Sequence, residues 1–153
     1  MPVDLESWFA ERIPDGWFDD PPRCRADRDE ILVVGTLPAG DDPETFRERT
    51  RDDRVAIALT AEATFERKVS WAVRTDDLEI RFTTTSVPVM TRLRIDERRV
   101  LDTLIAGGVA RSRSEALAWC VRLVGEHERD WIDEMREAAA RIAEVRRKGP
   151  SPA

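Results

Sequence analysis

The chain has 153 residues, 41% of them hydrophobic and 37% charged, with a formal net charge of −6. That length carries one ordinary domain or two small ones. No run comes near the ~20 apolar residues of a membrane helix, and the acidic total argues against a general polyanion binder. The charge is uneven. Residues 1–87 hold 20 Asp and Glu against 12 Lys and Arg, a net of −8, whereas residues 88–153 hold 11 against 13, a net of +2. A local basic surface on the C-terminal half is therefore compatible with the total.

The opening stretch MPVDLESWFAERIPDG is acidic and lacks the apolar core of a secretory signal. The expectation is a cytoplasmic, nucleoid-associated protein. Leu5–Ile13 reads as a short helix, and Pro14, Gly16, Pro21 and Pro22 punctuate an irregular segment after it. Trp8, Phe9, Trp17 and Phe18 suggest that residues 1–28 form an aromatic-rich arm packed onto the neighbouring unit.

Residues 29–87 read as a small β-α-β-β domain of α/β type. EILVVGTL is a short, β-branched run and predicts a buried strand. Asp42 and Pro43 open a long helix whose buried stripe is Phe46, Thr50, Ile57, Ala61 and Phe65. KVSWAVR and LEIRFT alternate around TDD and predict a hairpin. Arg49, Arg51, Arg54, Arg67 and Lys68 make a second DNA contact along that helix conceivable. TTTSVP is the best domain boundary.

In VMTRLRID, residues 89–96, Val89, Thr91, Leu93 and Ile95 face one way and Met90, Arg92 and Arg94 the other, if the segment is a strand. Asp96 is positioned to cap a following helix, whose stripe is Val100, Leu101, Leu104 and Ile105. Gly107–Gly108 is a helix stop, with Val109 stapling the turn to the core. Ser112 and Glu115 form a capping box that opens a second helix carrying Leu117, Cys120, Val121 and Val124 on one face. Arg111 and Arg113 flank its positive N-terminal end, an arrangement suited to phosphate.

This strand, helix, glycine turn and capped helix resemble the ribbon-helix-helix family of DNA-binding proteins, the MetJ/Arc type, over about residues 89–125. TRLRID and AGGVARSRSEAL carry the resemblance. It implies an α+β chain whose residues 88–125 are a dimerisation module. Two strands from two copies pair antiparallel and enter the major groove. Carried over by position, the base-reading residues are Met90, Arg92 and Arg94, arginine being suited to guanine O6 and N7. The phosphate contacts are Arg111, Ser112, Arg113 and Ser114, and the dimer core is Leu93, Ile95, Val100, Leu101, Leu104, Leu117, Cys120, Val121 and Val124. The spacing from Ile95 to Val100 is one residue longer than the family pattern. The strand register is kept because its alternative buries both arginines.

Residues 126–148 extend the module as an amphipathic helix with Trp131, Met135, Ala138 or Ala139, Ile142 and Val145 at helical or heptad spacing, and 149–153 read as a disordered tail. Cys24, Cys120 and a lone His127 are too few for a Cys/His metal cluster. No nucleotide loop follows VVGTLPAGDD. Neither an enzyme, a metal nor a cofactor is expected. The leading expectation is a homodimer on double-stranded DNA acting in transcription regulation, with a higher oligomer conceivable on DNA. The alternatives are an architectural nucleoid protein, or an antitoxin-like protein-interaction module with secondary DNA binding. Residues 1–87 or 126–148 would hold any further protein or ligand partner.

Overall fold

The computed structural model describes residues 3–76 and 78–151. The fold is mixed α and β, in two compact units, residues 1–89 and 90–153.

The first unit is built on a four-stranded sheet in the order β1-β2-β3-β4. Strand β1 (Arg23–Ala26) runs antiparallel to β2 (Glu30–Thr36), β2 runs parallel to β3 (Lys68–Thr75), and β3 runs antiparallel to β4 (Leu78–Arg81). The expected β-α-β-β order lacks β1. Arg-Cys-Arg-Ala is short and polar and carries no strand signal of its own. Its pairing comes from the turn at Asp27, whose carboxylate accepts the Asp29 and Glu30 N–H groups, both at 2.8 Å.

Helix α1 (Leu5–Ala10), which is shorter than the predicted Leu5–Ile13, buries Trp8 and Phe9. With Trp17 these join Ile31, Val33, Trp71, Val73, Phe46, Ile57 and Ala61 in one core. The aromatic residues of the N-terminal arm thus pack into this unit, as expected, and share its core. Aromatic edges meet ring faces in most of the pairs, Trp17 and Phe46 at 5.5 Å and Trp8 and Phe9 at 4.9 Å, while Phe46 lies tilted against Phe18 and Phe82. Gly35 is required here: a Cβ at that position would lie 2.2 Å from the Phe18 ring.

The β2–β3 crossover is helical, and Asp42 caps it by accepting the Thr45 N–H at 2.8 Å. The predicted single helix is two, α2 (Pro43–Arg49) and α3 (Arg51–Phe65), broken at Thr50. The Thr50 hydroxyl donates to the Phe46 carbonyl at 2.7 Å, and a threonine bonding back in this way competes with the helix ladder. Arg54 closes the break, donating to Thr50 Oγ1 at 3.0 Å and to the Arg47 carbonyl at 2.7 Å.

The second unit holds α4 (Ile95–Ala106), α5 (Arg113–His127) and α6 (Arg129–Lys148). Two expectations fail at its start. Thr83 is still bonded to Trp71 on β3, its N–H donating to the Trp71 carbonyl and its hydroxyl accepting the Trp71 N–H, but residues 84–94 form no strand and join no ladder among the described residues. The expected strand over 89–96 must also end earlier, because Ile95 and Asp96 already lie in α4. Arg94, not Asp96, is the N-cap. An arginine side chain has no acceptor, so the capping contact runs one way: the Glu97 carboxylate accepts the Arg94 N–H at 2.6 Å.

The end of α4 follows the glycine signal. Gly108 takes φ +80°, and its N–H and that of Val109 donate to the Ile105 and Leu104 carbonyls at 3.1 and 2.9 Å, a Schellman closure. Ala110 is the residue buried beyond the turn, whereas Val109, the expected staple, is largely exposed. A break at Glu128, where ψ is 29°, separates α5 from α6. Residues 149–151 carry no regular structure, and 152–153, the rest of the expected tail, lie outside the described residues.

Candidate nucleic-acid interface

Met90, Arg92 and Arg94 are exposed on the segment leading into α4, Met90 at 95%. Leu93 turns inward and packs against Leu101, Ala110 and Ala116. Val89, Thr91 and Ile95, predicted to share its face, are exposed, so only Leu93 of the expected inward set is covered in the single chain. The anchor is one that sequence reasoning missed: the Arg98 guanidinium donates to the Leu93 carbonyl, fixing the segment at the helix start. An arginine five residues on, inside a helix, carries no distinguishing sequence signal.

The expected core divides in two. Leu101 is buried, and Leu93, Leu104, Leu117 and Cys120 pack around it. Ile95 and Val100 on α4 and Val121 and Val124 on α5 are exposed, Ile95 at 63% and Val121 at 65%. These four do not belong to the core of the single chain.

At the start of α5 the Ser112 hydroxyl accepts the Glu115 N–H at 3.1 Å, as the capping pattern requires. The reciprocal bond differs by one residue: the Glu115 carboxylate accepts the Arg111 N–H, at 2.8 Å, and also the Arg111 guanidinium at 3.4 Å. Arg113 is not free. It makes two parallel hydrogen bonds to the Asp102 carboxylate, both 2.9 Å, joining α4 to α5. That fork holds the Asp102 carboxyl below its usual range and raises Arg113. Ser114 is exposed and makes no side-chain hydrogen bond among the described residues. Of the four expected phosphate contacts, two guanidiniums therefore already face carboxylates.

The arginines predicted along α2–α3 do not form one surface. Arg54 is 6% exposed, bonded inward, with its guanidinium 5.0 Å from the Phe82 ring centroid, and burial lowers its pKa. Lys68 pairs with Glu62 at 3.2 Å. A different basic group lies on the sheet, where Arg25, Arg74 and Arg81 converge on Glu79. Nearby, Arg23 and Arg74 line an open cavity of about 610 Å³ together with Glu6 and Asp20. Arg25, Arg74, Arg81 and Glu79 come from three strands, β1, β3 and β4, and meet only through register, which sequence spacing does not display. Burial, reinforced by Glu6 and Asp4, pushes the Cys24 thiol up to about 12. No group of three or more metal-ligating side chains occurs among the described residues, and no described helix is long and apolar enough to cross a membrane.

Two family models match the chain: the Rv1265-like protein N-terminal domain over residues 3–81 and the Mb1296 C-terminal domain over residues 94–146. Neither description names a ribbon-helix-helix module, and Met90 and Arg92 precede the second match. The chain is 47% identical to the uncharacterized proteins Rv1265 of Mycobacterium tuberculosis and Mb1296 of Mycobacterium bovis, across 94% of this chain and 69% of each relative. No solved structure matches.

Proposed function

The chain belongs to the Rv1265-like protein family, and from its geometry we propose that it is a homodimeric DNA-binding protein, a transcription regulator of ribbon-helix-helix type. Residues 89–94 pair antiparallel with the same segment of a second copy, and the ribbon presents Met90, Arg92 and Arg94 to the major groove.

One observation carries this reading. Among the described residues the 90–153 unit fully buries only Leu101, Ala110 and Ala116 of its hydrophobic side chains, while Ile95, Val100, Val121 and Val124 stay exposed on the two helices beside that core. A unit of this size with so small an interior is not stable on burial alone. A second copy laid on the same face supplies the missing cover. The backbone of 89–94, which has no ladder partner among the described residues, then gains one.

Base contact rests on two arginines held at the segment's outer side while Leu93 holds the inner side. Phosphate contact rests on the exposed Ser114 and on Arg111 and Arg113, which must trade their carboxylate partners for phosphate. That exchange favours a second reading to the same extent, a protein-interaction module with secondary DNA binding. Arg92→Ala/Arg94→Ala distinguishes them on DNA recovered by selection from random duplexes. The expected result is loss of sequence preference with the dimer intact. Specific binding that survives the double substitution removes the segment as reader. Broad, preference-free binding by the parent chain, with steep salt dependence, identifies the architectural alternative.

A further inference from the structure

Helix α6 buries none of its residues, yet it is strongly two-sided. Trp131, Met135, Ala138, Ile142 and Val145 follow one another at steps of four, three, four and three. This is the heptad alternation that keeps a seam facing a partner helix. Trp131, Met135, Ile142 and Val145 are each more than half exposed. A groove of about 360 Å³ runs along the seam, lined by Trp131, Glu134, Met135, Glu137, Ala138 and Arg141.

The charges bordering the seam select its occupant. With Trp131, Ala138 and Val145 at one core position and Met135 and Ile142 at the other, the residues beside the seam are Glu134, Arg141 and Lys148 on one side and Ile132, Ala139 and Arg146 on the other. A parallel partner of the same sequence sets Arg141 against the partner's Arg146, which repels. An antiparallel partner sets each border against its own kind. Only one heptad register then gives attraction with no like-charge contact on that border: Met135 lies opposite the partner's Ala138 and Trp131 opposite the partner's Ile142. Glu134 meets the partner's Arg141, twice by symmetry, and Ile132 meets the partner's Ala139. Sliding the pair by one heptad brings either Glu134 onto the partner's Glu134 or Arg141 onto the partner's Arg141. Glu134 and Arg141 form no ion pair within the chain among the described residues, unlike Asp133 with Arg136 and Glu144 with Lys148 on the same helix.

We propose that α6 docks antiparallel on α6 of a second copy of this chain, with the two-fold axis between Met135 and Ala138 and with paired Glu134 and Arg141 fixing direction and register. This surface is distinct from the α4–α5 face and does not depend on DNA binding. Two self-complementary faces on one chain close one dimer where they share a two-fold axis and build a larger assembly where they do not.

The test uses the full chain and sedimentation velocity across a concentration series, with circular dichroism to check that helix content is unchanged. Arg141→Glu and Glu134→Arg each replace two attractions by two repulsions. Each is expected to weaken the α6-dependent association by about tenfold, and Glu134→Arg/Arg141→Glu is expected to restore it. A parallel pair predicts the opposite for Arg141→Glu, tighter association, because the clash with the partner's Arg146 is relieved. That result overturns the proposal, as does a mass distribution that neither single charge reversal moves, or a double variant no tighter than the singles. Loss of the α4–α5 dimer is read separately, as a change that Val121 substitutions produce and these charge reversals do not.

Discussion

Val121 tests whether the exposed α5 face is a subunit interface. It lies on α5 with 65% of its surface open in the single chain. Val121→Ala removes two methyl groups, about 1.6 kcal/mol of burial at ~0.8 kcal/mol each. Scaling by the open fraction leaves about 1 kcal/mol per chain, and symmetry doubles it to about 2 kcal/mol per dimer, roughly 30-fold in Kd. Alanine is the better helix former by up to ~0.7 kcal/mol, so the dissociated chain is not destabilised. Sedimentation equilibrium gives the dimer constant, and urea unfolding at high dilution gives the stability of the single chain. A dimer constant within about twofold of the parent refutes the assignment of this face, since a residue buried at a symmetric interface cannot lose that area silently.

Asp102→Asn releases Arg113 from its carboxylate fork; DNA affinity should rise and the salt dependence steepen, by about one further phosphate contact per chain, read by fluorescence anisotropy at several salt concentrations. The same pair sets a pH response. The folded Asp102 carboxyl titrates below its ordinary value of 3.8, so its contribution to the α4–α5 contact is present above that value. It disappears as pH falls through the lower, folded one. Hydrogen exchange of the α4–α5 turn should therefore be unchanged between pH 7 and 5 after correction for intrinsic rates, and should quicken only in more acidic solution. Gly35→Ala must push the Phe18 ring off β2 and should cost about 1–3 kcal/mol of first-unit stability in thermal or urea unfolding. The Cys24 thiol, with its pKa near 12, should resist alkylation at pH 8 in the folded chain and react at an ordinary rate in denaturant.

Periodicity exposed the elements that carry their own apolar pattern. β2 is a continuous apolar run, the β3–β4 pair alternates around its turn, and α5 begins at Ser112 with the expected cap. Elements fixed by partners were less visible. β1 forms because Asp27 organises the turn that lays Arg-Cys-Arg-Ala against β2. At the Thr50 break the hydroxyl shares the Phe46 carbonyl with the Thr50 N–H and the Arg54 guanidinium takes the Arg47 carbonyl, while the apolar stripe runs on through it unbroken.

The candidate interface shows the same division. Alternation placed Arg92 and Arg94 outward and Leu93 inward, but it also placed Val89, Thr91 and Ile95 inward, and these are exposed in the single chain. The end of the segment does not, because Ile95 looks like a strand residue until Arg94 is seen capping α4. Asp102 escaped notice beside Arg113 because the two lie 11 residues apart, and only the glycine turn brings them together. Conversely, a stripe such as Leu117, Cys120, Val121 and Val124 names an apolar face without saying which part is covered within the chain. Here Leu117 and Cys120 are covered, and Val121 and Val124 are not.

The central claim is that residues 89–94 become a strand by pairing with the same segment of a second copy. Isotope-filtered NMR on a dimer mixed from labelled and unlabelled chains measures this most directly. Cross-chain contacts between backbone protons of residues 89–94, in an antiparallel pattern and with slowed amide exchange at alternate residues, are the predicted result. Fast exchange throughout the segment, with cross-chain contacts confined to the helices, would contradict the account.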